Sequence, residues 1–530
     1  MEIIKENIHM GRIRAEGTVQ VSFDEDMNIP DQKPDVTGIL LQKGEAVTEE
    51  VKAGNDTVTI KGRLLYHVLY GTNEAGCQMV DLDGSLPFEE KVHLPGTAMT
   101  DQVRVEVQVE DLTIGMINSR KLSIQALLQF NACVEDIYDE ALPVDIRGEE
   151  QVEYRKAPVC MSENAVSGCN MPVARLCMSK RDVLRVSDEC VLPSNYPNVS
   201  GILSHRIRPV DMEFKLREDA LEISGELQLS VIYEGEGEGH PVRAYETMLS
   251  FNKTQECPGV RGDMIPDILY TLGQKEVSLK PDRDGEERCL QVEVSFDMNM
   301  RMYEEIRPEM ITDVYGVHKD VTTQSHQGTL QGLLGSVSGK MKITDHVALS
   351  ATGDVLQILN CDVESTVPAV SIQKDGVVVK GSLLLNIICI TGNDEMPFVS
   401  CKAQLPYRYV MEVPGIQEGD KIRVHVQTEQ LQTGLMDGNE ADVRAVLSFQ
   451  AIVFRCMETE IIDRILVSDA DKNAIKKLPG FAIYRVKPGD NLWSIGKKYH
   501  VSVEDIRELN GLTGEEIISG QKLLIRKQTR

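Results

Sequence analysis

Residues able to do chemistry are plentiful in this chain, and their spacing decides what they can do. The run Gly335-Ser336-Val337-Ser338-Gly339-Lys340-Met341 ends like a phosphate-binding loop, which needs an opening glycine and a hydroxyl after the lysine. Position 334 is Leu and position 341 is Met, so neither need is met. Gly235-Glu236-Gly237-Glu238-Gly239 has the glycines of a phosphate cradle, but its two carboxylates would repel phosphate, and it reads as a hairpin connection. The ten histidines include no HExxH or other paired ligand spacing. With 83 acidic residues, no two carboxylates stand out as a glycosidase-like acid and base. Twelve cysteines form no CxxC pair, and the densest group, Cys160, Cys169, Cys177 and Cys190, lacks zinc spacing, so reduced and mostly buried thiols are expected. The residues point to no catalytic site, no metal and no cofactor, and the expected class is non-enzymatic.

Binding-type residues concentrate instead near the C-terminal end, around the single tryptophan, Trp493. Tyr484 and Val486 alternate as a short strand, broken by Pro488-Gly489-Asp490. Asn491 then caps a helix whose face carries Leu492, Ile495 and Tyr499. Ser502 with Asp505 opens a second helix, with Ile506 and Leu509 as its apolar face and Asn510-Gly511 as its stop. After a loop ending in Ser519-Gly520-Gln521, Leu523 to Ile525 gives a second strand. This strand, helix, helix, strand order over Tyr484 to about Ile525 closely resembles the LysM family. The resemblance implies a shallow groove for glycans containing N-acetylglucosamine, formed here by Gly489, Asp490, Asn491 and Leu492 on one side and Ile517, Ile518 and Ser519 on the other. Two positions depart from the family pattern: Asn491 stands where Thr is usual, and Gly496 where Ala is usual, at about 1 kcal/mol of helix propensity. Trp493, beside the first turn, divides between core packing and partner contact, and an exposed tryptophan is a favoured interface anchor. Lys487, Lys497, Lys498 and Arg507 could steer the module to an acidic partner.

The body in front of this module is strongly acidic. Of the net charge of -27, residues from Phe481 onward contribute +3 and residues 1 to 480 contribute -30. Such a body has no clustered cations for phosphate backbones, so no nucleic-acid partner is expected. No apolar stretch is long enough to span a bilayer; Val446 to Phe454 comes nearest and is interrupted by Ser448 and Gln450, so no membrane insertion is expected. Met1 to Glu6 shows no basic segment leading into an apolar run, and the expectation is retention inside the producing cell.

A length of 530 residues allows three or four domains, and internal repetition fixes their kind. Val58, Ile60, Gly62, Leu64, Tyr66, Val68 and Tyr70 alternate with polar residues, and the pattern recurs around Gly225 (Leu221 to Tyr233) and Gly381 (Val377 to Cys389). Asp35-Val36, Asn198-Val199 and Asp354-Val355 precede the three glycines, and Pro95-Gly96, Pro258-Gly259 and Pro414-Gly415 follow them, each at one constant offset. A last strand closes each copy, with Ile124, Ala126, Leu128 and Phe130 matching Leu290 to Phe296 and Val443 to Phe449. The reading is a mainly β chain: three repeated all-β, sandwich-like domains over 1–150, 151–310 and 325–467, a linker over 468–481 and a βααβ module over 482–527. Each central glycine is expected to mark a bulge or a close backbone approach.

Three such domains before a LysM module resemble the SPOCS (DUF3794) domain family of SipL-like spore-coat morphogenesis proteins. The resemblance implies a mother-cell protein at the forespore surface, partnered by the coat morphogenetic ATPase SpoIVA and other coat proteins, with the LysM module serving as a docking surface. The other reading from the same residues is a peptidoglycan-binding protein of cortex or wall. A wall hydrolase finds no catalytic constellation in residues 1 to 480.

Overall fold

A computed structural model describes residues 2–73, 78–148, 151–159, 171–237, 240–317, 319–349, 354–393, 396–436, 439–469 and 480–526. Cys160, Cys169, Glu238, Gly239 and most of the expected linker, 470–479, lie outside them. Repeat 1 holds β1 (Glu2–Asn28), β2 (Gly38–Ala53), β3 (Thr57–Gly71), β4 (Met79–His93), β5 (Val103–Asn118) and β6 (Lys121–Arg147). Repeat 2 holds β7 (Val152–Pro158), β8 (Val173–Val191), β9 (Val199–Arg217), β10 (Ala220–Gly235), β11 (Val242–Glu256), β12 (Ile265–Pro281), β13 (Glu287–Ile306) and β14 (Glu309–Gly316). Repeat 3 holds β15 (Lys319–Ala348), β16 (Val355–Ser365), β17 (Ala369–Gln373), β18 (Gly376–Thr391), β19 (Phe398–Glu412), β20 (Lys421–Met436) and β21 (Glu440–Asp469). The second ribbon thus runs to Gly316 and the third starts at Lys319, so strand pairing extends beyond the expected bounds at 310 and 325. The phosphate-loop-like run lies inside β15.

All three repeats share one antiparallel topology. The central strand (β3, β10, β18) is flanked by its two sequence neighbours, and a second three-strand set packs opposite (β1-β6-β5, β8-β13-β12, β15-β21-β20). The last two sets are joined through β8 and β15 into one six-stranded sheet, while β7 and β14 pair separately. In repeat 3, β16 and β17 share the role that β9 fills alone. The two sheets enclose a common core, in which the last-strand residues Phe130, Phe296 and Phe449 are fully buried. Gly62, Gly225 and Gly381 face Phe88, Phe251 and Tyr407 across the ladder. At Gly62 and Gly381 the aromatic ring occupies the place of the missing side chain, within 2.6 Å of where a Cβ would stand; at Gly225 the sulfur of Met212 does so at 2.7 Å. The glycines are therefore sites of close approach, at Gly62 also by the Val47 carbonyl, and the β9-β10 register shifts at Gly225, in line with the bulge or close backbone approach expected of glycine within a strand. The Pro-Gly turns also have a partner that sequence reading missed. Asp56, Asp219 and Asp375 adopt left-handed backbone (φ 54 to 56°), and their Oδ1 atoms accept the N–H of Gly96, Gly259 and Gly415 at 2.7 to 3.0 Å.

The repeats close into a ring rather than stringing out. Leu40, Leu203 and Leu359 stand 22 residues before their central glycines, and all three meet in one buried cluster. The cluster also takes the equivalent sets Leu69, Ile232, Ile388 and Met79, Val242, Phe398, which places it on a pseudo-threefold axis. Beside this apolar plug lie the equivalent Lys43, Arg206 and Asp362. Asp362 pairs with both cations, and the Lys43 Nζ donates to the Ser204 hydroxyl (3.2 Å) and the His205 carbonyl (3.1 Å). Away from the axis, the first and last strands continue as ribbons, and Ile8, Met10, Leu142, Val173, Met310, Leu330 and Ile461 from all three pack together.

Lys43 gives the axis a pH signature. Its ammonium is pushed down to about 7, first by burial and then by Arg206. The unfolded chain holds that proton up to the ordinary 10.5, so between these values the unfolded state binds more protons and stability rises with pH. A urea midpoint that climbs from about pH 7 to about pH 9 more steeply in the wild type than in Lys43→Met is expected; parallel profiles would refute this role.

Candidate functional site

The C-terminal module is β22 (Phe481–Arg485), α1 (Leu492–Tyr499), α2 (Val503–Asn510) and β23 (Lys522–Arg526), with the two strands antiparallel. It has its own core of Val486, Leu492, Ile495, Val501, Ile506, Leu523 and Ile525. The local rules that predicted it operate as expected. Asn491 caps α1, accepting from the Ser494 N–H at 2.7 Å while Ser494 Oγ accepts the Asn491 N–H at 3.2 Å. Ser502 caps α2, and Gly511 closes it in left-handed backbone at φ 61°. Leu509 departs from expectation: it is exposed, and Ile506 alone of that pair enters the core.

Two loops lie side by side. The Gly520 N–H donates to the Val486 carbonyl (2.8 Å) and the Val486 N–H to the Gln521 carbonyl (2.9 Å), tying the last loop to the first turn. Gly489 supplies the turn at φ 88°. Asp490 Oδ2 accepts from the Lys487 N–H (2.8 Å) and the Tyr484 hydroxyl (2.7 Å), which hold its carboxyl below its ordinary range. Gly489, Asn491, Ile518 and Ser519 are exposed, and Ile518 shows 77% of its surface. Ile517 is half-buried, and Leu492 is 1% exposed, so Leu492 offers the groove only its backbone. The result is an open surface of backbone amides, the Asn491 amide, the Ser519 hydroxyl, the half-buried Asp490 carboxylate and the apolar Ile518 side chain. It suits a polar chain laid across it.

Trp493 turns to a different neighbour. Its indole N–H donates to Asp313 Oδ2 (2.9 Å), and its ring meets Tyr315 edge-on with centroids 4.8 Å apart. Lys497 Nζ reaches Asp313 Oδ1 at 2.6 Å. The Tyr315 hydroxyl donates to the Val501 carbonyl (3.0 Å), and His500 Nδ1 lies 3.0 Å from the Gly316 carbonyl. Burial opposes the charge on Asp313, but the bonds from Lys497 and Trp493 prevail and lower its pKa. The module is thus latched by α1 and the turn after it onto β14. The latch explains Gly496: a Cβ there would stand 2.6 Å from the Tyr315 hydroxyl and 2.8 Å from the Val501 carbonyl. Asp313 and Tyr315 escaped sequence reading, because they lie some 180 residues from Trp493. The one trace they left was the glycine in place of the usual alanine. Of the other expected steering cations, Arg507 pairs with Glu504 (2.8 Å), and Lys498 sits over the Tyr484 and Tyr499 rings.

Comparison with known proteins bears on both parts. Residues 484–526 match the family described as LysM domain, and residues 35–117, 198–280 and 354–436 match the family described as SipL, SPOCS domain. Each SPOCS match covers the middle strands of a repeat and leaves out its first and last. Over 43 residues the chain is 54% identical to a Bacillus subtilis protein named for sporulation-specific glycosylase activity, YdhD, covering 8% of this chain and 10% of that protein. Over 46 residues it is 46% identical to the N-acetylmuramoyl-L-alanine amidase sle1 of Staphylococcus saprophyticus, covering 9% of this chain and 14% of that one. The uncharacterized Bacillus subtilis protein YkzQ is 32% identical over 63 residues, 11% of this chain and 84% of its own length. The chain spans about a tenth of the length of the first of these relatives. No solved structure matches the chain. Among the described residues, no helix is long and apolar enough to cross a membrane.

Proposed function

The chain carries three SipL SPOCS domains and a C-terminal LysM domain; from that premise we propose that it is a non-enzymatic scaffold of endospore coat assembly. In this reading it works on the mother-cell side of the forespore surface, and the LysM module docks it on the coat morphogenetic ATPase while the ring of β domains receives other coat proteins. The observation that carries the reading is the latch. A module held by Trp493, Lys497 and His500 against β14 leaves Gly489, Asn491, Ile518 and Ser519 exposed, an arrangement that suits a docking scaffold. The acidic ring offers wide surface for protein contacts and supports the same role.

A second reading has its own support. The groove of Gly489, Asp490, Asn491, Ile517, Ile518 and Ser519 is open, and sle1 is named as an amidase acting on N-acetylmuramoyl-L-alanine. In that reading the chain binds peptidoglycan glycan. Co-sedimentation of the full chain with purified sacculi, and in parallel its titration with the ATPase, separates the two. Saturable binding to the ATPase with no pelleting on sacculi is expected. Pelleting on sacculi with no response to the ATPase would favour the glycan reading and overturn the first.

A further inference from the structure

Between repeats 2 and 3 lies a cavity of about 650 Å³ that neither reading uses. Its floor is the outward face of the β9-β10-β11 sheet, where Gln228 pairs with Arg208 and Ser230 with Arg206 across the ladder. Arg206 lies against Asp362, and its Nη2 donates to the Val363 carbonyl. Arg208 has no such ion pair among the described residues: its Nη1 is buried without a hydrogen-bond partner, as are the Nη1 of Arg206 and the Oε1 of Gln228. Gln228 Nε2 engages Glu246, and the Ser230 hydroxyl donates to Asn360 Oδ1 (3.1 Å) from repeat 3. A buried guanidinium nitrogen and a buried amide oxygen without partners are costly, and native proteins leave few such groups without a bound water or ion.

The repeats show that this is no general feature of the fold. At the positions matching Arg208, repeats 1 and 3 carry Glu45 and Glu364; at those matching Gln228 they carry Leu65 and Leu384. The Arg208–Gln228 pair therefore belongs to repeat 2 and not to the matching positions of repeats 1 and 3, and it lies on the sheet face that fronts the cavity. Burial first, and then Arg208, push Arg206 down to about 9.

We propose that this cavity binds a small molecule through one oxyanion group, a carboxylate or a phosphate. The oxyanion pairs with Arg208, while Gln228 Oε1 accepts from a hydroxyl or amine of the same ligand. Glu246 on the cavity wall disfavours a second negative charge and selects ligands with a single anionic end.

The test uses the full chain, titrated calorimetrically and by thermal unfolding with inorganic phosphate in one arm and lactate in the other, against chloride at equal ionic strength. Saturable binding with a stoichiometry near one and a rise in Tm of about 2 °C or more in one arm is expected, and the responding arm identifies the oxyanion. Arg208→Met should weaken that binding at least tenfold while its own Tm in chloride is equal to or above wild type, because a partnerless buried charge is removed. Gln228→Leu, the residue type of the other two repeats, should fold normally and bind more weakly. No saturable response in either arm, or undiminished binding by both variants, overturns the proposal.

Discussion

Tyr315→Ala releases the C-terminal module from the ring. The substitution removes the hydroxyl that bonds the Val501 carbonyl at 3.0 Å and the ring that meets Trp493 at 4.8 Å, and it empties a site that is 3% exposed. Losing a buried aromatic side chain with its hydrogen bond costs about 3 kcal/mol, which lowers the docked population roughly a hundredfold. The module's own core is separate from Tyr315, so it stays folded. Because Trp493 is the only tryptophan, intrinsic fluorescence reads the latch directly. Its emission moves to the red in Tyr315→Ala and becomes more open to acrylamide quenching. Tyr315→Phe keeps the ring, loses about 1 kcal/mol, and stays mostly docked. Wild-type emission in Tyr315→Ala would mean that the latch does not exist in solution.

Arg301→Ala should destabilise the ring by about 3–5 kcal/mol, the usual cost of removing one member of a buried ionic network. Arg301 pairs with Glu135 of repeat 1 and lies 3.8 Å from Asp267 of its own repeat, and Asp267 pairs in turn with Arg423 of repeat 3 at 2.6 Å. Side-chain exposures of 8%, 15% and 6% for Arg301, Glu135 and Asp267 leave little water to take over when the guanidinium goes. The urea midpoint falls in Arg301→Ala, and Arg301→Met with Glu135→Gln recovers part of the loss by removing the stranded charge. An unchanged midpoint in the single variant would show that the seam between repeats carries no load.

These two sites mark where sequence reasoning stopped. Alternation around Gly62, Gly225 and Gly381, the Pro-Gly turns and the capped helices are local patterns, and local patterns are read at short range. Ring closure is not local. Leu40, Leu203 and Leu359 look like any apolar strand residue, and the ionic layer hides because equivalent positions carry different types: Lys43, Arg206 and Asp362. The same divergence conceals the network of Arg301, since Asp267 matches Arg104 and Arg423 in position and opposes them in charge. In the module, the expected groove residues came from the LysM resemblance, whereas the neighbours of Trp493 lie in another domain. Leu492 joined the groove by its place in the chain, but helical periodicity turned its side chain into the core.

The central claim is that the chain docks on its partner through the outward groove of a latched module. It is tested most directly by the affinity of the full chain for the coat morphogenetic ATPase, measured for wild type and Ile518→Asp while Trp493 emission is recorded. The account predicts at least a tenfold loss of affinity in Ile518→Asp with emission unchanged, since Ile518 is exposed in the groove and remote from the latch contacts named above. Full affinity in Ile518→Asp, or no binding by the wild type, would contradict it.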